Sequence, residues 1–251
     1  MTTDKLSSSS SRAMFVAALS LATLAPALAL ADSPGLMLVN RLWGVGEVQY
    51  VEKDGGKHVL ETFKEPHSVR QASVSSNGRW AYVWHQGAKP PLQLSIYDLA
   101  TWSRTASFTP GFGGDMYFTP GASILHWWGC GSDCAEFVLY DTHGKKRLSG
   151  GTSIVSLSPT SRFMITGPSL FAGGESIVLY DLDAARILYE TPAALQSRFR
   201  LEEVVWDEAR GAVALKLVDG RKKARRLLLD TSKPSAVKAS FPDGEPKSLI
   251  P

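Results

Sequence analysis

The chain has 251 residues, with 27 Lys and Arg against 24 Asp and Glu, for a formal net charge of +3 at pH 7. So small an imbalance gives no bulk electrostatic reason to bind nucleic acid or another polyanion. The length suits one domain with a sizeable core.

Residues 1–31 read as an export signal rather than as part of the fold. Lys5 and Arg12 make a basic start, 13–30 is almost wholly apolar, and Ala27-Leu-Ala29 and Ala29-Leu-Ala31 are small-x-small cleavage sites. Cleavage is expected after Ala31, leaving 220 residues with a charge of +2, since two cations and one anion go. The apolar run is short for a membrane span, which disfavours an uncleaved anchor. No Cys follows the cleavage region and Arg12 stands alone, so neither a lipid-anchored form nor the twin-arginine route is expected. No second apolar run is long enough to cross a membrane. The expected mature protein is periplasmic or secreted.

Residues 32–251 are organised by a repeat. The first unit is short, with strands expected at 36–42, 47–53 and 57–63 and Asp54 where a later unit carries its strand-ending Asp. Four fuller copies follow, anchored at Ser75 and Asp98, Thr119 and Asp141, Ser158 and Asp181, and Asp207 and Asp230. The two anchors lie 23, 22, 23 and 23 residues apart, while successive copies start 44, 39 and 49 residues apart. A repeated four-stranded unit with tolerant connecting loops shows this combination of fixed and variable spacing. The strands expected are 69–75, 79–85, 92–98 and 104–108, then 115–118, 123–128, 135–140 and 145–148. The third full copy gives 153–157, 162–166, 176–180 and 186–190, and the last gives 202–206, 211–218, 224–229 and 236–241.

Trp80-Ala-Tyr-Val-Trp84 and Ile177-Val-Leu-Tyr180 are apolar on both faces, as strands buried between two neighbouring sheets must be. A sandwich also buries strands but gives no reason to repeat the anchor spacing. The expected fold is therefore all-β: a single β-propeller of five four-stranded blades. The first blade lacks its own first strand. Glu245-Pro-Lys-Ser-Leu-Ile250 resembles Glu65-Pro-His-Ser-Val69, so the C-terminus is expected to supply that strand and close the ring.

With Ser158-Pro-Thr-Ser161 at a turn and Tyr97-Asp-Leu99 and Tyr180-Asp-Leu182 at strand ends, the chain resembles the exported, TolB-type members of the WD-repeat-like propellers. The resemblance spans nearly the whole mature chain and implies the fold. Such propellers serve as binding platforms, scaffolds and occasionally enzymes, so it is nearly silent on activity. The Gly-His dipeptide of the intracellular WD proteins is absent, and the one Trp-Asp, Trp206-Asp207, stands at a first-strand turn anchor, so their partner rules do not carry over.

Cys130 and Cys134 bracket Gly-Ser-Asp between two strands of one hairpin. In an oxidising compartment the pair is expected to form a disulfide. His126-x3-Cys130-x3-Cys134 would alternatively suit zinc, but a fourth ligand is needed and only Asp133 is near; two free thiols are the third reading. Neither a metal nor another cofactor is expected. Trp80, Trp84, Trp127 and Trp128 read as space-filling more readily than as an aromatic binding floor. Arg221-Lys-Lys-Ala-Arg-Arg226 follows the Asp219-Gly220 turn and reads as a solvated, charged blade edge.

No Gly-x-Ser-x-Gly elbow, Walker loop or His-Glu-x-x-His occurs, so the chain reads as a binding module rather than an enzyme. The catalytic alternative is a glycan-active hydrolase pairing Asp115 with Glu202 or Glu203 on inner strands as acid and base. A third reading is a cofactor-binding propeller using His67, His85 or His126. The face carrying the loops between second and third strands and the links between blades offers the binding residues, above all His67, His85 and Arg198, with Trp43, Phe112 and Phe171 nearby. The partner expected there is a protein or small ligand, and the module is expected to be a monomer. For the cysteines, the non-reduced exported protein should weigh two hydrogens less than its reduced form; thiol labelling of both cysteines without reductant would contradict the pairing.

Overall fold

Among the described residues, hydrogen bonding gathers the strands into four antiparallel sheets. β1 (Gly35–Arg41), β2 (Gly44–Val51), β3 (Lys57–Val74), β4 (Trp80–Gln86), β5 (Gln93–Asp98) and β6 (Ser103–Phe108) follow one another in a six-stranded sheet. The next sheets are four-stranded: β7 (Asp115–Phe118), β8 (Ile124–Gly129), β9 (Ala135–Tyr140) and β10 (Lys146–Thr152); then β11 (Ile154–Leu157), β12 (Phe163–Gly167), β13 (Val178–Asp181) and β14 (Arg186–Glu190). The last contains β15 (Phe199–Asp207), β16 (Ala212–Asp219), β17 (Ala224–Asp230) and β18 (Lys238–Ser240). The computed structural model describes residues 35–41, 44–87, 91–111, 113–129, 134–152, 154–168, 176–192, 195 and 198–243.

Both anchors of the repeat are side chains that accept backbone N–H groups at turns. Ser75 Oγ accepts from Trp80 N at 3.0 Å, Thr119 Oγ1 from Ser123 N at 3.2 Å, Ser158 Oγ from Phe163 N at 3.1 Å, and Asp207 Oδ1 from Arg210 N at 3.2 Å. The second anchors do the same between third and fourth strands: Asp98 Oδ1 for Ala100 N, Asp141 for His143 N, Asp181 for Ala184 N and Asp230 for Ser232 N. The two turns of a unit are themselves joined, Leu99 N to Arg79 O, Leu182 N to Arg162 O and Thr231 N to Gly211 O. Arg79 adds an ion pair to Asp98 at 3.1 Å. The anchor spacing is thus one hairpin measured out and back, so its two strands and the loop at their far end share a nearly fixed total length.

Four apolar clusters join consecutive sets of strands. Val45, Val48 and Phe63 meet Ala81, Val83 and Tyr97; Trp84, Leu94 and Ile96 meet Met116 and Ile124. Leu125, Phe137 and Leu139 meet Met164, Val178 and Tyr180; Phe163, Ile165 and Leu179 meet Leu201, Val213, Leu215 and Leu227. Along β4, Ala81 and Val83 face one neighbour and Tyr82 and Trp84 the other, so period-2 geometry serves two cores at once. Sheets that stack face to face in chain order, each buried on both sides, fit a propeller. The end sheets differ. On β16, Val213, Leu215 and Leu217 are buried while Lys216 is exposed, and Val205 beside it is 52% exposed; near the other end Val59 is 53% exposed.

The strands expected at 57–63 and 69–75 are one strand, β3, whose first half pairs with β2 and whose second half pairs with β4. Lys64-Glu-Pro-His67 contains no Gly, Asn, Asp or Ser, and the residue before Pro66 is held extended, so the link between units stays strand-like. Counted by pairing, the strands make a three-stranded unit followed by four four-stranded ones. The leader, 1–31, and the expected closing strand, 246–250, lie outside the described residues. The edge of β1 away from β2 has no partner among the described residues.

The fourth turn residue is left-handed in every full copy: φ is 70° at Gly78, 63° at Ala122, 60° at Ser161 and 62° at Gly211. Only glycine holds this conformation without a Cβ penalty of about 1–2 kcal/mol. Ser161→Gly should therefore raise stability by about 0.5 kcal/mol after the entropic cost of glycine. Gly78→Ala, whose Cβ meets nothing within 4 Å, should lower it by about 1 kcal/mol; denaturant titration checks both.

Candidate functional site

β3 and β4 bring His67 and His85 together between the first and second units. Their rings lie 5.2 Å apart, and Phe63 stacks on His67 at 4.0 Å and tilts against His85 at 4.8 Å. His67 Nδ1 is 2.7 Å from the Glu65 carbonyl, which accepts from it. His85 Nε2 lies 3.2 Å from Ser95 Oγ, which reaches Ser107 Oγ at 3.3 Å. His85 is only 4% exposed, and its Nδ1 has no partner among the described residues. The expectation of a solvated loop histidine is corrected here. Position 85 belongs to β4 and pairs with Gln93, and the period-2 alternation turns its ring into the core behind Phe63. Burial pushes its pKa down to about 4, helped by the neighbouring His67 and Arg104 charges.

Beside this pair runs an acidic and basic link. Arg104 Nη1 donates to Glu61 Oε2 at 2.7 Å, and Tyr97 Oη donates to the same oxygen at 3.0 Å. One step along, Arg70 lies 4.7 Å above the Trp84 ring and donates to Gly114 O at 3.0 Å. His126 is fully buried between Trp84 and Trp128, with ring centroids at 5.4 and 4.7 Å. Arg198 is exposed, in a turn where its N–H donates to Leu195 O at 3.2 Å. Trp43, Phe112, Phe171 and Cys130 lie outside the described residues. Cys134, just before β9, is described but Cys130 is not, so the disulfide stays an expectation.

Among the described residues, none of the three cavities is lined by Asp115 together with Glu202 or Glu203, the carboxylates read as catalytic. Glu202 is the extra residue of a bulge between Leu201 and Glu203, and Lys216 Nζ binds it at 2.7 Å. Glu203 lines a cavity of about 450 Å³ with Val205, Ala214, Lys216, Arg226 and Leu228, on the face of β15–β17 away from the core. Asp115 is exposed at the start of β7 and does not line that cavity. The bulge at position 202 is what a simple alternation argument misses, because it resets which face each glutamate takes. Among the described residues, no group of three or more His, Cys, Asp and Glu is arranged to hold a metal ion.

Sequence reasoning also missed two further cavities. One, of about 460 Å³, is lined by Tyr50, Glu52, Lys53, Asp54 and Trp102; nearby His58 stacks on Trp102 at 3.5 Å and pairs with Glu52 at 3.2 Å. The other, of about 620 Å³, lies at the first strands and first turns of three consecutive units, from Gln71 to Ser161. Its signal was present in the hydroxyl residues Ser76, Thr119, Thr160 and Ser161, which read only as turn formers. Asp115 lines neither cavity.

No family model matches the chain, and no curated protein does. Solved structures do resemble it in fold. An uncharacterized protein from Listeria monocytogenes is 11% identical, with a TM-score of 0.46 over 84% of this chain and 63% of that one. TolB from Acinetobacter baumannii is 15% identical, with a TM-score of 0.37 over 83% and 52%. A prolyl endopeptidase structure is 14% identical, with a TM-score of 0.40 over 87% and 38%. The chain spans about half the length of the TolB chain and less of the peptidase. Scores this low leave the architecture resting on the chain's own sheets.

His85 gives this region a pH signature. Its folded pKa of about 4 lies below the ordinary 6.5, so as pH falls the unfolded chain takes the proton first. Its contribution is therefore fully present above pH 6.5 and is lost as pH drops from there toward 4. Urea titrations across that range should show stability falling with acidity, and His85→Gln should flatten the slope; an unchanged slope would show that other groups set it.

Proposed function

We propose that the chain is an exported, non-catalytic binding or scaffold module, a monomer whose five blades close through a C-terminal strand against β1, and whose partner meets the loop-rich end. The observation that carries this is the contrast between its two ends. The turns joining first to second strands hold five, five, five and four residues, whereas the loops joining second to third strands hold six, five, ten and four. The links between units are equally uneven: none within β3, six before β7, one before β11 and eight before β15. Uneven loops on a regular scaffold are where recognition concentrates, because they vary without disturbing the packed sheets. Arg198 sits on the longest described link and Arg200 follows it, both exposed. His67 is half-buried and offers an edge; the buried His85 supports it from behind and does not itself meet a partner.

The glycan-hydrolase reading has less support, since Lys216 neutralises Glu202 and Glu203 lines a different face from the first-strand cavity. The cofactor reading is weakened by the burial of His85 and His126 among aromatic rings.

Arg198→Ala with Arg200→Ala should change stability by under about 0.5 kcal/mol, as exposed substitutions do. It should also reduce what the protein captures from periplasmic extract. Equal capture by both forms would contradict the choice of end. Removing residues 245–251 should leave β1 with a bare edge and lower the melting temperature sharply; an unchanged melting temperature would contradict closure.

A further inference from the structure

The geometry points to a second binding site, for a neutral saccharide, in the cavity of about 620 Å³ at the first turns. This goes beyond the binding module proposed above, since it lies at the turn end rather than the loop-rich end. The size falls within the range of about 300–1,000 Å³ typical of small-ligand sites. Three units contribute: Gln71, Ser73 and Ser76 from the second, Tyr117 and Thr119 from the third, and Thr160 and Ser161 from the fourth.

The walls are held rigidly by groups already committed to each other. The Gln71 amide donates to Met116 O at 2.6 Å and accepts from Met116 N at 3.0 Å, bridging two first strands as a strand residue would. Tyr82 Oη donates to Met116 O at 2.9 Å. Thr160 is tied through Oγ1 and N to Glu208 at 2.6 and 3.0 Å. Inside this frame the hydroxyls of Ser76, Tyr117 and Ser161 make no hydrogen bond to the described residues. Tyr117 is 36% exposed although it is a large aromatic side chain.

Two properties set the ligand class. None of the described residues lining the cavity carries a formal charge, so a charged ligand would lose hydration without gaining a counter-charge. Hydroxyls both donate and accept, and so match the paired donor and acceptor character of sugar hydroxyls. The Tyr117 ring supplies an apolar platform of the kind the C–H face of a pyranose covers, with Val74, Met116, Phe118 and Pro120 among the other apolar lining.

The test is titration calorimetry with maltotriose, xylotriose and triacetylchitotriose, with trigalacturonate and tetraglycine alongside. At least one neutral trisaccharide should bind more tightly than about 1 mM, and trigalacturonate and tetraglycine more weakly. Tyr117→Ala should weaken that binding about tenfold and Tyr117→Phe much less, since the ring is what stacks. Arg198→Ala should leave it unchanged, which separates this site from the loop-rich end. Absence of binding by all three neutral sugars, tighter binding of the peptide or the uronate, or equal binding by Tyr117→Ala would each overturn the proposal. Should Tyr117→Ala not fold, Ser161→Leu, which fills the cavity from an exposed turn, should abolish binding, and retained binding would overturn it.

Discussion

Each unit between the first and the last has to bury both of its faces, and most of the structure follows from that requirement. β4 shows it most clearly: Ala81 and Val83 pack back toward β2 while Tyr82 and Trp84 pack forward toward Met116 and Ile124. Burying side chains of this size contributes about 1.5–3 kcal/mol each, and each strand collects it twice. Several polar groups inside a sheet have a partner built in, as with Ser95 beside His85 and Tyr97 beside Glu61, while His85 Nδ1 and Trp84 Nε1 have none among the described residues. The chain's recognisable chemistry is therefore pushed to the two ends of the strands.

Those ends are not equivalent. At one, the Ser/Thr and Asp anchors hold short turns to nearly constant length, and other residues of these turns tie neighbouring units together, Gly121 N to Asp183 at 2.7 Å and Thr160 to Glu208. A surface fixed in this way can present a preformed cavity of hydroxyls. At the other end the loops and links differ from unit to unit, and connections run from none to ten residues. One end suits a small ligand of defined shape, the other a partner that varies with the loop.

Much of this was legible in the residues. The anchors announce the hairpins because a side chain that accepts its own turn's N–H groups leaves a local signature, and the two-sided apolar strands announce the stacking. What stayed hidden depends on distant or irregular geometry. His85 looks like the solvated end of its strand until β4 is seen to run on to Gln86 with the His85 ring buried. Glu202 and Glu203 look like an alternating pair until the bulge is placed. Lys64-Glu-Pro-His67 looks like a break between strands but is extended chain. The one-sidedness of the last sheet was readable in Val213-Ala-Leu-Lys-Leu217, where apolar and polar positions begin to alternate, yet its meaning needs the neighbours that cover each face.

The account turns on whether the stack closes on itself, since a closed ring is what gives the chain two distinct ends and shields both terminal sheets. Hydrogen exchange along β1 reads this most directly. Alternate amides of β1 point toward β2, and the others point to the opposite edge. If a C-terminal strand covers that edge, every amide from Leu36 to Val39 should exchange slowly, with protection lost together on global unfolding. If the amides pointing away from β2 exchange as fast as those of the Glu52–Gly56 turn, the edge is bare and the closed ring is wrong.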